Sequence, residues 1–191
     1  MLYPKLIAFD TSAAHCAAAL LLQGQVITRV DEMARGQAEH LMPMLQQMLQ
    51  AAGLDWSDLD AVAVGTGPGN FTGIRISVSA ARGLGLGLGR PVIGVTGFEM
   101  RAFDEPRPFT ATIRAPRETS YIQTFHADGS TTAPVQQDVP AGPQKPAADL
   151  IAAAAHIAAA RIGEKLPRPA PLYIRPADAA PPKDTAPVIL S

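Results

Sequence analysis

The sequence predicts an α/β protein of two lobes, a compact first lobe and a reduced second one. Three observations carry this. Apolar runs and turn signals in the first hundred residues follow the order β-β-β-α-β-α-β. Glycine and proline divide between the halves: 13 of the 16 glycines lie in residues 1–100, and 14 of the 18 prolines lie after them. Glycine supplies tight turns and close backbone approach, whereas proline stiffens loops and stops helices. Of the 191 residues 47% are hydrophobic and 17% charged, which suffices to bury a core. The lobes are expected to meet near residue 97, giving units 1–97 and 98–191.

Residues 6–9, all apolar, end in Asp10-Thr11-Ser12 and read as a buried strand closing on a polar turn. Residues 16–22 and 25–31 are strand-like runs split by Gln23-Gly24, a hairpin signal. A dinucleotide-binding unit would pass from its first strand straight into a helix, so three strands in succession exclude it. From 40 to 52, Leu41, Met44, Leu45, Met48, Leu49 and Ala52 recur at helical spacing before Gly53. Pro43 is expected in the first turn of that helix. Residues 61–64 form a further strand, followed by Gly65-Thr66-Gly67-Pro68-Gly69-Asn70, with Asn70 as an N-cap. A helix rich in small residues is expected over 71–82, stopped by the glycine alternation 83–89, with a strand returning over 91–95. In the second half, 110–114 and 121–125 read as an antiparallel pair and 131–146 as a proline-rich connection. An alanine-rich helix over 146–161 should cover a sheet. Seven prolines in 167–187 leave room for one edge strand at Leu172-Tyr173-Ile174.

Sixteen Lys and Arg against seventeen Asp and Glu give a net charge of −1, without the uniformly basic footprint of a stand-alone nucleic-acid binder. One cysteine, Cys16, excludes a disulfide framework and a multi-thiolate metal site. The four histidines, at 15, 40, 126 and 156, lack metal-ligand spacing, so no metal site is expected. No basic start leads into a long apolar stretch, and a cytoplasmic protein without a membrane span is expected.

Two features could carry chemistry. Closely spaced glycines between a strand and a helix let backbone N–H groups approach an anion at a helix N-terminus. The loop 65–73 fits that, but it lacks the Gly-Lys-Ser/Thr ending of a P-loop, and it would serve equally as a tight turn without ligand. Asp10, Thr11 and Ser12 at a strand end could contact Mg²⁺ and phosphate, or simply cap the turn. Nucleotide or phosphate contact is therefore expected at Asp10, Thr11, Ser12, Gly67 and Gly69. A partner interface is expected on the two helices at Leu41, Met44, Leu45, Met48, Ile74, Val78 and Ala81. No catalytic residue is assigned.

Three segments carry a family likeness. They are Ile7-Ala8-Phe9-Asp10-Thr11-Ser12, the run from Gly67 to Arg75 (Gly-Pro-Gly-Asn-Phe-Thr-Gly-Ile-Arg), and Leu172-Tyr173-Ile174-Arg175-Pro176-Ala177-Asp178. Together they resemble the bacterial TsaB (YeaZ) family over nearly the whole chain. The resemblance implies the actin-like/Hsp70/sugar-kinase (ASKHA, RNase H-like) fold. It also implies a non-catalytic subunit needed for threonylcarbamoyladenosine (t6A) at position 37 of tRNAs that read codons starting with A. Its implied partners are a TsaD-like catalytic subunit and a TsaE-like ATPase. tRNA contact would be indirect, and two copies could pair when the partner is missing. No cofactor of its own is implied, ATP or ADP with Mg²⁺ entering only in the assembled complex. In the catalytic relative, metal-binding histidines follow the strand matching 91–95; here that stretch reads Thr96-Gly97-Phe98-Glu99-Met100-Arg101. The chain departs from the family pattern at Gly36-Gln37-Ala38-Glu39 and at Ile113-Arg114-Ala115-Pro116-Arg117. The rival reading is an actin-fold ATPase or small-molecule kinase using Asp10 and the loop 65–73.

Overall fold

The computed structural model describes residues 3–174. Strands β1 (Leu6–Asp10), β2 (His15–Leu22) and β3 (Gln25–Glu32) run antiparallel in succession. Helix α1 (Gln37–Ala51) then leads through a 3₁₀ turn at Trp56–Asp58 to β4 (Ala61–Gly65), helix α2 (Phe71–Leu88) and β5 (Val92–Val95). β4 pairs parallel with β1, and β5 parallel with β4, giving a five-stranded sheet of order β3-β2-β1-β4-β5. This is the β-β-β-α-β-α-β order of the actin-like fold. Helix α3 (Gly97–Ala102) follows, then a smaller antiparallel sheet of β6 (Phe109–Arg114), β7 (Ser120–Phe125) and β8 (Val135–Gln137), and finally helix α4 (Ala147–Ala160).

Both faces of the larger sheet are covered, so its central strands read as continuous apolar runs rather than alternating ones. Every residue of β1 and β4 is buried. Against one face, Leu45 and Leu49 of α1 and Ile74 and Val78 of α2 pack on Phe9, Leu20, Val62 and Val64. Against the other, Ile151, Ala154, Ala155 and Ala158 of α4 pack on Leu6, Ala8, Ala17 and Ala19. Alanine on both surfaces brings the α4 backbone close to β2, and the shared core gains through contact what the side chains lack in area. The alanine-rich helix thus covers a sheet as expected. That sheet belongs to the first half of the chain, so residues beyond 97 complete its core.

Local chemistry explains the junctions. Gln23 and Gly24 both take positive φ, 53° and 80°, the primed-turn geometry that suits the right-handed twist of a two-residue hairpin. Asn70 caps α2, its side-chain oxygen accepting from Gly73 N–H at 2.8 Å. Asn70→Ala should cost about 1 kcal/mol, read as a lower urea midpoint at unchanged slope. Cys16 is fully buried beneath Met33 and α1, and burial, followed by the charges of Asp31 and Asp10, pushes its thiol up to about 11. At pH 8 the folded protein should therefore resist an aromatic disulfide reagent and react only in denaturant.

The structure corrects several expected boundaries. α1 begins at Gln37, after left-handed Gly36, so Pro43 lies inside the helix rather than in its first turn. It sits on the exposed face, where a missing backbone donor leaves the Glu39 carbonyl to water. α2 continues through the glycine alternation and stops only at left-handed Gly89. Packing overrides propensity here: a Cβ on Gly85 would overlap Val92, so glycine lets the helix close on β5. Helix α3 forms in a stretch to which the sequence assigns no element, and strand β8 within the proline-rich connection expected over 131–146. Leu172, Tyr173 and Ile174 form no strand; Leu172 N–H makes a single backbone bond to Thr66 O, at 2.8 Å. Arg175, Pro176, Ala177 and Asp178 lie outside the described residues. Among the described residues no helix is long and apolar enough to cross a membrane.

Candidate functional site

The polar turn and the glycine loop meet at the C-terminal ends of β1 and β4, the side where open α/β sheets take ligands. Asp10 Oδ1 accepts from Ser12 N–H at 2.8 Å and Ser12 Oγ at 2.7 Å, and His15 Nε2 lies 3.8 Å from the same oxygen. Thr11 is fully buried, its hydroxyl donating to Gly73 O at 2.6 Å. Asn70 N–H donates to Ser12 O at 2.7 Å. The glycines make this seam possible. A Cβ on Gly65 would overlap the Asp10 carboxylate, and one on Gly73 would overlap Thr11 O. On Gly69 it would sit 2.5 Å from Ser12 O. The spacing of the glycines thus serves the fit of the loop against the turn.

Of the five expected contact residues, Asp10, Ser12 and Gly69 line a cleft of about 810 Å³ between the two sheets. Thr11 and Gly67 do not. Thr11 has spent its hydroxyl on α2, and Gly67 is buried beneath Ile74, whose Cδ1 would lie 2.5 Å from an added Cβ. The opposite wall comes from α3, the end of β6 and the connection before α4, including Arg101, Arg114 and Lys145. Arg101 escaped the sequence reading because its segment did not read as a helix. The Thr96-x-x-Glu99 capping box was the signal that could have found it: Thr96 N–H donates to Glu99 at 2.7 Å, and Glu99 N–H to Thr96 Oγ1 at 3.1 Å.

The helix positions expected to meet a partner are corrected outright. Leu41, Met44, Leu45 and Met48 of α1 and Ile74, Val78 and Ala81 of α2 are all buried in the core beneath the helices. An amphipathic helix has one apolar stripe, and here the sheet takes it. The outward faces are different. Met42 is 37% and Leu86 87% exposed, and Gly83 and Gly87 have nothing within 4 Å of a built Cβ. At the N-terminal end of α2, two of the sequence segments quoted above converge. Phe71 stacks on Tyr173 with centroids 4.9 Å apart, Arg75 lies 3.7 Å over Phe71, and Arg75 Nε donates to Tyr173 O–H at 2.9 Å. Phe71 and Arg75 share one of those segments and Tyr173 lies in the other, and only folding shows them as one contact.

Comparison with known proteins agrees with this geometry. The sequence matches the family described as "TsaD: tRNA N6-adenosine threonylcarbamoyltransferase" over residues 29–139, more than half of the chain. No curated protein matches the sequence. Among solved structures, YeaZ from Pseudomonas aeruginosa is 28% identical at a TM-score of 0.70, covering 89% of this chain and 99% of that one. A second structure, of an uncharacterized protein with similarity to peptidase YEAZ from Pseudomonas aeruginosa, is 28% identical at a TM-score of 0.69, covering 90% and 100%. By sequence and by fold alike, the chain belongs to the TsaD family of tRNA N6-adenosine threonylcarbamoylation proteins, as a YeaZ-like (TsaB-like) member.

Proposed function

We propose that this chain is a non-catalytic subunit required for t6A at position 37 of tRNAs reading codons that start with A, acting as scaffold and activator of a TsaD-like catalytic subunit. The outward face of α2 supports this reading. Gly83 and Gly87 sit inside a helix, where glycine costs about 1 kcal/mol against alanine, and neither makes room for anything in this chain. Beside them Leu86 stands 87% exposed. Bare backbone next to a protruding leucine lets a second helix approach closely and form a dry interface centre.

A TsaE-like ATPase joins that assembly, tRNA is met indirectly, and the same face pairs two copies when the partner is absent. ATP or ADP with Mg²⁺ enters only in the complex, near Asp10, Ser12 and Gly69; tight ATP binding by the isolated chain would contradict that. Depleting the protein and measuring t6A in bulk tRNA by mass spectrometry tests the role. A marked fall in t6A, restored by re-expression, is expected. Unchanged t6A overturns it.

A further inference from the structure

Arg101 does work in this fold that the docking role does not explain. It projects from α3 into the cleft, half-buried, with Nη1 donating to Gly97 O at 2.9 Å and Nη2 to the neutral Gln144 side chain at 3.1 Å. Its Nε is buried and has no partner among the described residues. Three other half-buried cations contrast with it: Arg29 pairs with Asp31, Arg161 with Glu99 and Lys145 with Glu105. Arg101 has no carboxylate within ion-pair distance among the described residues, and burial holds its pKa below the ordinary arginine value against the opposing charge of Asp10. A guanidinium drawn partly out of water with no carboxylate beside it is costly.

The charges lining the cleft are sorted by wall. Arg101, Arg114 and Lys145 stand on the side of α3 and the smaller sheet, whereas Asp10 and Glu32, with His15 beside them, stand on the side of the larger sheet. Met100, Ile113 and Ile151 add apolar side chains to the lining. We propose that this cleft binds a dipolar small molecule, its carboxylate on Arg101 and its ammonium towards Asp10 and Glu32, α-amino acids being the simplest members of the class. A planar carboxylate matches the guanidinium fork and makes a stronger, charge-assisted bond than Gln144 does. In the free chain a polyphosphate without its Mg²⁺ would face the Asp10–Glu32 wall with like charge, so that wall selects against it there. The volume lies within the range of small-molecule sites and leaves room for a substituent beyond the zwitterion. The site stands apart from the docking face, and loss of partner binding would leave it intact.

The test is calorimetric titration of the full isolated chain with each standard L-amino acid, with acetate and inorganic phosphate for comparison. At least one amino acid should bind, more tightly than acetate or phosphate. Arg101→Met should weaken it about tenfold, the scale of one charged hydrogen-bonded contact. Asp10→Asn should weaken the amino acid but not acetate. Gln144→Ala, on an exposed connection that a folding defect would not obscure, should tighten binding by freeing the guanidinium. Binding of no amino acid, preference for phosphate, or affinity unchanged in Arg101→Met and not raised in Gln144→Ala overturns the proposal.

Discussion

Gly73→Ala should destabilise the protein by about 3 kcal/mol, at the upper end of overpacking costs, although it replaces the poorest ordinary helix former with the best. Position 73 lies in the first turn of α2, where alanine is normally favourable. Here the added methyl would overlap the backbone oxygen of Thr11. That oxygen belongs to the turn closing β1, and the same residue anchors α2 through the bond from its hydroxyl to Gly73 O. Neither backbone can retreat without opening the seam between α2 and the sheet, which holds Ile74 and Val78 in the core. Gly83→Ala makes the control, because a Cβ there meets open space; it should be neutral or stabilising. Urea unfolding of both variants separates the outcomes, and equal midpoints would show that the close approach is not what requires glycine at 73.

Leu86→Arg should abolish co-purification with a TsaD-like subunit while leaving the isolated chain within about 0.5 kcal/mol of its starting stability. The side chain is 87% exposed, so a guanidinium there stays in water in the free chain and is stripped of it in a dry interface. Met44→Arg should behave in the opposite way. Met44 is buried between α1 and the sheet beside Phe9, and a charge there without a partner unfolds the subunit before any question of docking arises. Retained complex formation by Leu86→Arg, with normal thermal unfolding, would remove the proposed face.

Much of the fold was legible because the physics that sets it is local. Continuous apolar runs bounded by turn residues marked β1 and β4, the Gln23-Gly24 pair marked the hairpin, and the spacing of leucines and methionines marked α1. Asn70 announced the start of α2 because a cap is read from one side chain and the next turn. The misreadings share one cause. α2 runs through four glycines because contact with β4 and β5 outweighs their helix cost, and no local window contains that contact. The apolar stripe on α1 was legible, but whether a sheet or a partner covers it depends on which face meets Phe9 and Leu20. The capping box could place Arg101 on a helix, but not in a site, since its isolation from any carboxylate is a property of the assembled cleft.

The sequence by itself determined the order of the first lobe, the family likeness and the special standing of the glycines at 65–73, all of which are read in short local runs of residues. Only the tertiary structure decided what those glycines are for, since their need comes from Asp10, Thr11 and Ser12 pressed against them across some sixty residues of chain. It also decided that the reduced second lobe is not self-contained: α4 closes the open face of the first sheet, because a half-covered apolar sheet gains more from an alanine-rich helix laid flat on it than from water.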